Sequence, residues 1–390
     1  MSIRKCFFWV HLTAGSIAGI VILTMCVTGV VLSFEKQIAN WAERDVRRVR
    51  PAVGEVRQPV GTLVSQALQG ETSAPTSVIW HAEPESTVEI AFGRERTVFV
   101  NPYNGERLGE GAVRLRSFFA SVEGVHRWLA SDGEWRPRAR AVTGAANLLF
   151  LFLACSGLYL WWPRIWTANS LKAVTWFRGN LEGKARDFNW HNTIGFWSCI
   201  PLIVIVTCSV VMSYPWANNL VYRLSGSPVP TANSSGRPAD QKQTRAALDP
   251  NELNLLCARA ESKVPVWQTI SLRLPTAADT NATFTIDAGE GGRPDHRAQL
   301  ALRRSSGDEV RWEPFSSNSR GRRWRVWMRF THTGEAFGVL GQAIAGVASL
   351  GGVFLVYTGI SLALRRFFAW RAREKPEPRA VLRESSCEQE

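Results

Sequence analysis

Four of the six histidines in this chain, His11, His126, His191 and His332, stand at or near the start of a hydrophobic segment. One histidine at the mouth of a membrane helix is ordinarily an interfacial residue with water for a partner. Four so placed form a set, because a neutral imidazole is a metal ligand once its other ring N–H is held. Two imidazoles facing each other across a helix bundle are the axial arrangement for a b-type haem, whose porphyrin supplies the four in-plane nitrogens. Gly15, Gly19, Gly195, Gly334, Gly338 and Gly341 lie one or two turns from these histidines. There they either free space against a porphyrin face or serve ordinary small-residue helix packing. Zinc suits the pattern less, since a structural zinc site takes four ligands and each group here offers two histidines without a cysteine or carboxylate beside them. Arg127, Arg140, Arg325 and Arg329 on one side, and Arg4, Lys5 and Arg186 on the other, suit haem propionates or lipid headgroups. His81 and His296 fall outside the pattern and receive no role. No C-x-x-C-H occurs, which excludes covalent c-type haem by its usual signature.

The elements that must position these residues are membrane helices. The chain has 390 residues, 45% of them hydrophobic, with 17 tryptophans, and four stretches suit a bilayer whose core is about 30 Å thick. They are Phe7 to Phe34, Val142 to Trp162, Thr193 to Tyr214 and Phe337 to Leu364. Trp9, Trp161, Trp162, Trp190, Trp216 and Trp370 gather at their ends, at headgroup level. The first stretch is too long for a signal peptide and lacks a cleavage site, so it reads as a retained helix. The net charge of +13 sits largely beside the spans, where it meets anionic lipid, and no nucleic-acid motif is present. Of the cysteines, Cys26, Cys155, Cys199 and Cys208 lie inside spans and only Cys257 in an outer loop, which leaves no disulfide framework.

Four spans put both termini on one side. The short basic loop from Pro163 to Asn192, with Arg164, Lys172, Arg178, Lys184 and Arg186, and the tail with Arg365, Arg366, Arg371 and Arg373 mark that side as cytoplasmic. The first and third spans look like copies: glycine follows His11 and His191 by four residues, and a closing serine follows each by 22. The second span ends S156-G-L-Y-L-W-W-P-R164 and the fourth T358-G-I-S-L-A-L-R-R366, which align without a gap. The chain therefore reads as two parallel repeats about a pseudo-two-fold axis along the membrane normal. Each outer loop reads as a small α+β domain. The first has a helix over Val60 to Leu68, strand-like SVIWHA, TVEIAF and RTVFV, and the turn N101-P-Y-N-G105; the second has a helix over Leu253 to Ala260, then TISLRL, ATFTID, AQLALRR and a turn before Trp312. Ser225 to Gln243 reads as a flexible polar link.

In residue ranges this gives a first span with a short cytoplasmic N-terminus (1–36), an outer domain (37–116), an amphipathic helix with the second span (117–164) and a cytoplasmic loop (165–192). The third span (193–216), a second outer domain (217–320), the fourth span with its outer approach (321–366) and a cytoplasmic tail (367–390) complete it. The expected fold is an all-α four-helix transmembrane bundle carrying two α+β loop domains. His11 with His191 near the inner face and His126 with His332 near the outer face would hold two haem b groups, a route for electrons across the membrane. There is no G-x-G-x-x-G unit for a nicotinamide or flavin domain, so the donor would be a membrane quinol or a separate reductase protein.

The chain resembles the PepSY-associated transmembrane proteins, which include bacterial inner-membrane reductases of ferric siderophores. The resemblance rests on WVHLTAG and TGVVLSF in the first span, TVFVNPYNGE in the first loop, and EGVHRWL with SGLYLWWPR in the second. NWHNTIGFW in the third span and THTGEAFGVLGQAI with YTGISLALRR in the fourth extend it over nearly the whole chain. It implies a four-helix bundle with two b haems on His11, His126, His191 and His332, PepSY-like periplasmic domains, and one-electron reduction of a ferric siderophore or another periplasmic acceptor. The third span departs from the first by carrying Cys208 and Ser209 where Thr28 and Gly29 stand. Two alternatives follow from the same residues: a non-catalytic PepSY-type binding or sensor protein anchored by its helices, and an accessory subunit of a siderophore transport system.

Overall fold

A computed structural model describes residues 2–93, 95–163, 166–230 and 249–373. Arg164, most of the polar link over Ser225 to Gln243, and the tail beyond residue 373 lie outside the described residues. The helices are α1 (Ile3–Leu32), α2 (Glu35–Ala42), α3 (Arg44–Arg47), α4 (Val60–Ala67), α5 (Val113–Trp128), α6 (Arg136–Trp161), α7 (Ala168–Thr175), α8 (Gly183–Ser213), α9 (Pro215–Leu224), α10 (Pro250–Lys263), α11 (Arg320–His332) and α12 (Gly338–Arg373). The strands are β1 (Ser77–His81), β2 (Val88–Phe92), β3 (Arg96–Val100), β4 (Arg107–Gly109), β5 (Thr269–Arg273), β6 (Asn281–Asp287), β7 (Arg297–Arg303) and β8 (Glu309–Pro314).

Helices α1, α6, α8 and α12 are long and apolar enough to cross a membrane. Both α1 and α8 pack against α6 and α12, so α1 and α8 oppose each other across the bundle. Apolar side chains cover most of the outward surface, as lipid requires: Ile17 and Ile20 of α1, Ile200 of α8 and Val347 of α12 are all more than two-thirds exposed. The third span begins at Gly183, ten residues before the hydropathy suggests, because polar side chains in its first turns find partners. Asp187 is buried against Arg186 at 2.9 Å and the Ser361 hydroxyl at 2.7 Å. Asn189 accepts from the Arg178 N–H and donates to the Ala173 and Trp176 carbonyls, tying α8 to the α7 segment. As a result His191 lies inside a helix, two turns from its start.

Outside the bundle, the strands of the two loops do not stay apart. They form a single antiparallel sheet in the order β4-β3-β2-β1-β5-β6-β7-β8. The joint is β1 against β5, in register from Ser77↔Arg273 to His81↔Thr269. Alternate residues point to one face, where Val78, Trp80, Ile90, Val98, Ile270, Leu272, Phe284, Ile286 and Leu300 meet Leu63, Val64, Leu253 and Leu256 from α4 and α10. Each such aliphatic side chain contributes about 1.5–3 kcal/mol on full burial, and this shared core welds the two loops together. Gly61 permits the weld, since a Cβ there would stand 2.4 Å from the Pro250 carbonyl oxygen.

Between sheet and bundle stand α5, packed on α1, and α11, packed on α8 and α9. Each turns into a membrane helix through a tight corner with left-handed backbone. Leu129 and Ala130, after α5, both adopt left-handed backbone at φ 51° and 59°, which costs a residue with a Cβ roughly 1–2 kcal/mol. After α11 the corner uses glycines: Gly334 at φ 76° and Gly338 at φ 62°, with a Cβ on Gly334 only 2.4 Å from the Gly341 oxygen. Below α5, Glu43 is buried and bonded by Arg47 at 2.9 Å and Arg116 at 2.7 Å, while Arg47 also reaches Glu89 of β2. This network clamps α3, α5 and the sheet.

Candidate functional site

The bundle brings the four histidines together in two pairs. His11 of α1 and His191 of α8 have ring centroids 6.4 Å apart, and His126 of α5 and His332 of α11 have theirs 6.4 Å apart as well. The pairs sit at opposite ends of the bundle: His11 lies near the start of α1, while His126 bonds Thr28 near its end. Seventeen residues of α1 separate these two levels, roughly 25 Å at 1.5 Å per residue.

Each ring is held from behind by its Nδ1. The distances are 2.9 Å from His11 to Ser156 Oγ on α6, 2.9 Å from His191 to Thr358 Oγ1 on α12, and 2.8 Å from His126 to Thr28 Oγ1 on α1. His332 uses a backbone group instead and donates to the Ile205 carbonyl of α8 at 2.9 Å. In all four rings Nε2 is the nitrogen left over. A glycine beside each hydroxyl keeps the ring edge clear: a Cβ on Gly157 or Gly359 would stand 3.4 Å from Cε1 of His11 or His191, and one on Gly29 would stand 3.6 Å from that of His126.

Around His11 and His191 lies a cavity of about 930 Å³, at the upper end of the range for cofactor pockets. Its walls include Gly15, Gly19 and Gly195, three glycines singled out by their spacing; a Cβ on them would stand 3.7 Å from Leu153, 3.3 Å from Ile360 and 3.5 Å from Leu355, so they serve helix packing and the cavity together. Gly334, Gly338 and Gly341 do something else. They build the corner between α11 and α12: Gly334 and Gly341 approach each other's backbone too closely for a Cβ, and Gly334 and Gly338 have left-handed φ. The charged lining of the cavity is Arg4, Lys5, Lys184 and Arg366. Arg186 is absent from it, because it is committed to Asp187. Arg4 donates to the Leu160 carbonyl, and the Arg366 guanidinium lies over the Phe8 and Trp9 rings.

On the other side, Arg127 is paired with Glu123 at 2.8 Å and lies over Trp128, Arg325 donates to Asn218, and Arg329 lies over Phe330. Arg140 is an exposed residue of α6. His81 sits in β1, with Nδ1 3.0 Å from Thr269 Oγ1 and Nε2 3.3 Å from Glu89, and His296 flanks Asp295. Neither joins the paired rings. Among the described residues no group of three or more His, Cys, Asp or Glu side chains could hold a bare metal ion. Each pair supplies two nitrogens, the number needed by a group that brings its own in-plane ligands.

A family model for the PepSY-associated TM region matches residues 8–366. The chain belongs to the PepSY-associated transmembrane family. No curated protein matches it. The family match spans both histidine pairs and the eight-stranded sheet, and four membrane-length helices agree with a transmembrane member. Within this PepSY-associated protein, spacing had found the four histidines, but it missed the residues behind them. Their signal was present in the quoted motifs: S156-G157, T358-G359 and T28-G29 are each a hydroxyl followed by a glycine.

The fit to haem rests on chemistry and space. Two imidazoles on one iron, each bonded through a nitrogen about 2 Å away, put their ring centres roughly 6 Å apart, and both pairs match that spacing. Each ring has its second nitrogen hydrogen-bonded, as ligating histidines do. The inner pair adds a cavity with apolar walls and a cationic lining suited to carboxylates.

Proposed function

We propose that this protein is a di-haem b oxidoreductase of the bacterial inner membrane that passes electrons to a periplasmic acceptor, with a ferric siderophore as that acceptor. The reading is carried by one observation: two pairs of rings, at opposite ends of one bundle, share the same centroid spacing and are all tied through Nδ1. When bound, haem supplies one-electron chemistry, and its potential follows axial ligand, burial and hydrogen bonding. His11 and His191 would hold the inner group, and His126 and His332 the outer one. Arg4, Lys5, Lys184 and Arg366 neutralise propionates at the inner site, and Gly157, Gly359 and Gly29 leave room at the ring edges. Between the levels, Ala18, Ile22, Cys26 and Ala146 pack with Phe150 and Val353 and keep the middle of the bundle apolar.

The same reading makes the chain a pseudo-two-fold repeat, in which α1, α5 and α6 correspond to α8, α11 and α12. Three correspondences favour it: His11 with Ser156 against His191 with Thr358, the central β1/β5 pairing, and α4 beside α10. Both termini then face the cytoplasm, where Lys172, Arg178, Lys184, Arg365 and Arg366 gather. The electron donor is a membrane quinol or a separate reductase. A purely binding or sensing role would account for the outer sheet but leaves four paired histidines without work. The test is a reduced-minus-oxidised spectrum of the purified protein. Low-spin b-type bands at about two haems per chain support the proposal, and absence of a Soret band ends it.

A further inference from the structure

We infer that Thr28, Ser156 and Thr358 are positioning residues which, with the Ile205 carbonyl, fix all four histidines in the Nδ1–H tautomer and tune the reduction potentials of the two sites. The electrochemical half rests on the di-haem reading; the tautomer half stands on the protein alone. A ring nitrogen beside a hydroxyl can be donor or acceptor, and distance does not decide which. What decides it is where the hydroxyl's single proton goes. Thr358 Oγ1 is 2.7 Å from the Phe354 carbonyl, and Thr28 Oγ1 is 2.6 Å from the Thr24 carbonyl. Ser156 Oγ lies 3.3 Å from the Leu153 carbonyl. The Thr28 and Thr358 hydroxyls donate their protons back into their own helices, so toward the ring they can only accept; Ser156, which stands to His11 as Thr358 stands to His191, is assigned the same role. The rings must then carry their proton on Nδ1, which leaves a lone pair on Nε2. His332 reaches the same state without a hydroxyl, because a carbonyl oxygen has no proton to give.

The two sites are therefore built differently. Both rings of the inner pair lean on hydroxyls, whereas the outer pair has one hydroxyl and one carbonyl. The cause is local sequence: α8 carries Cys208 and Ser209 where α1 has Thr28 and Gly29, and a thiol is a weak acceptor. An acceptor on Nδ1–H makes the imidazole a more basic ligand, which favours the more positive ferric state and lowers the potential. Removing the acceptor should raise it. Thr358→Val and Ser156→Ala should raise the potential of the inner haem alone, and Thr28→Val that of the outer haem alone. The expected change in ferric-to-ferrous preference is about tenfold, or about 59 mV for one electron.

The experiment uses full-length protein in nanodiscs with ¹⁵N-labelled histidine. Tautomers are read by ¹⁵N NMR on full-length protein produced without haem supply, where no iron on Nε2 imposes the Nδ1–H form, and a potentiometric titration of the haem-loaded protein follows the haem bands of wild type, Thr28→Val, Ser156→Ala, Thr358→Val and Thr358→Ser. Support consists of Nδ1 protonation in all four wild-type rings, site-specific upward shifts in the three deletions, and recovery in Thr358→Ser. A purely structural role would lower haem content or melting temperature while the potential of the remaining haem stays put, and that outcome overturns the inference. So does an Nε2-protonated ring at His11, His126 or His191 in the wild type. If the wild type holds no haem, the di-haem reading and the electrochemical half fail together, and the NMR still decides the tautomers.

Discussion

Replacing His332 with alanine separates a paired site from four independent histidines. His332 is the last residue of α11, it contacts its partner ring at 6.4 Å between centroids, and it spends one hydrogen bond on Ile205. Losing that bond costs about 0.5–1.5 kcal/mol, a small part of the roughly 5–15 kcal/mol that holds a typical fold, so His332→Ala should still insert and fold. The outer site, left with one ligand, should lose its haem. The inner pair stands some 25 Å away along α1, by the rise of about 1.5 Å per residue, well beyond the 7–10 Å or so within which substitutions couple. It should keep its haem and serve as an internal control for folding. The expected result is haem content falling from about two per chain to about one by pyridine haemochrome assay, with half of the reduced-minus-oxidised amplitude retained. Loss of both haems, or retention of both, refutes the pairing of His126 with His332.

The converse substitution, Gly157→Val, puts a branched side chain at a position where even a Cβ stands 3.4 Å from His11 Cε1; it should empty the inner site and spare the outer one, read by the same haem assay. Burial alone would push the Glu43 carboxyl up, but the Arg116 hydrogen bond and charge, the Ala112 N–H and Arg47 outweigh it and hold the group below the usual carboxylate range. Glu43→Gln leaves the partly buried Arg116 guanidinium without its anion and Arg47 with Glu89 alone, and should destabilise the outer region by about 3 kcal/mol, the lower end for a broken buried pair, measured as a lower thermal midpoint with the haem bands intact. Glu71 is gripped by both terminal nitrogens of Arg96 at 2.8 Å and also by Arg107, and these bonds lower its carboxyl from an ordinary 4.5 to about 2. Its contribution is complete above pH 4.5 and disappears as pH falls toward 2. Glu71→Gln should flatten that part of the stability profile, followed by tryptophan fluorescence.

Much of the architecture was legible in the chain because its signals are local. Period-two runs such as SVIWHA and ATFTID became β1 and β6 nearly residue for residue, and the apolar runs became α1, α6, α8 and α12. The joining of β1 to β5 was not legible, since strands almost two hundred residues apart carry no mark of their partner beyond an apolar face. The early start of α8 escaped for another reason. Hydropathy counts Asp187 and Asn189 against a helix in lipid, whereas the structure satisfies them with Arg186, Ser361 and the α7 segment. At the site itself, histidine spacing predicted the set of four, and the hydroxyl-glycine pairs behind three of them stood in the motifs unread. The fourth partner, the Ile205 carbonyl, is a backbone atom that no residue type announces.

The arrangement of partners also says why α1 and α8 oppose each other across the bundle. α1 contributes His11 to the inner pair and the Thr28 hydroxyl to the outer pair. α8 contributes His191 to the inner pair and the Ile205 carbonyl to the outer pair. Each of these helices therefore holds a histidine at one level and the brace for a histidine at the other, with roughly 20–25 Å of helix between them at 1.5 Å per residue. A loop-mounted histidine would have no such reference. Here the inner rings ride on the membrane helices themselves, whereas the outer rings arrive on α5 and α11, which lie outside the spans and turn into them through tight left-handed corners. The braces on α1 and α8 bring those two arms into register with the inner level. The depth of both sites is thus set by two membrane-length helices, against which α5 and α11 are positioned.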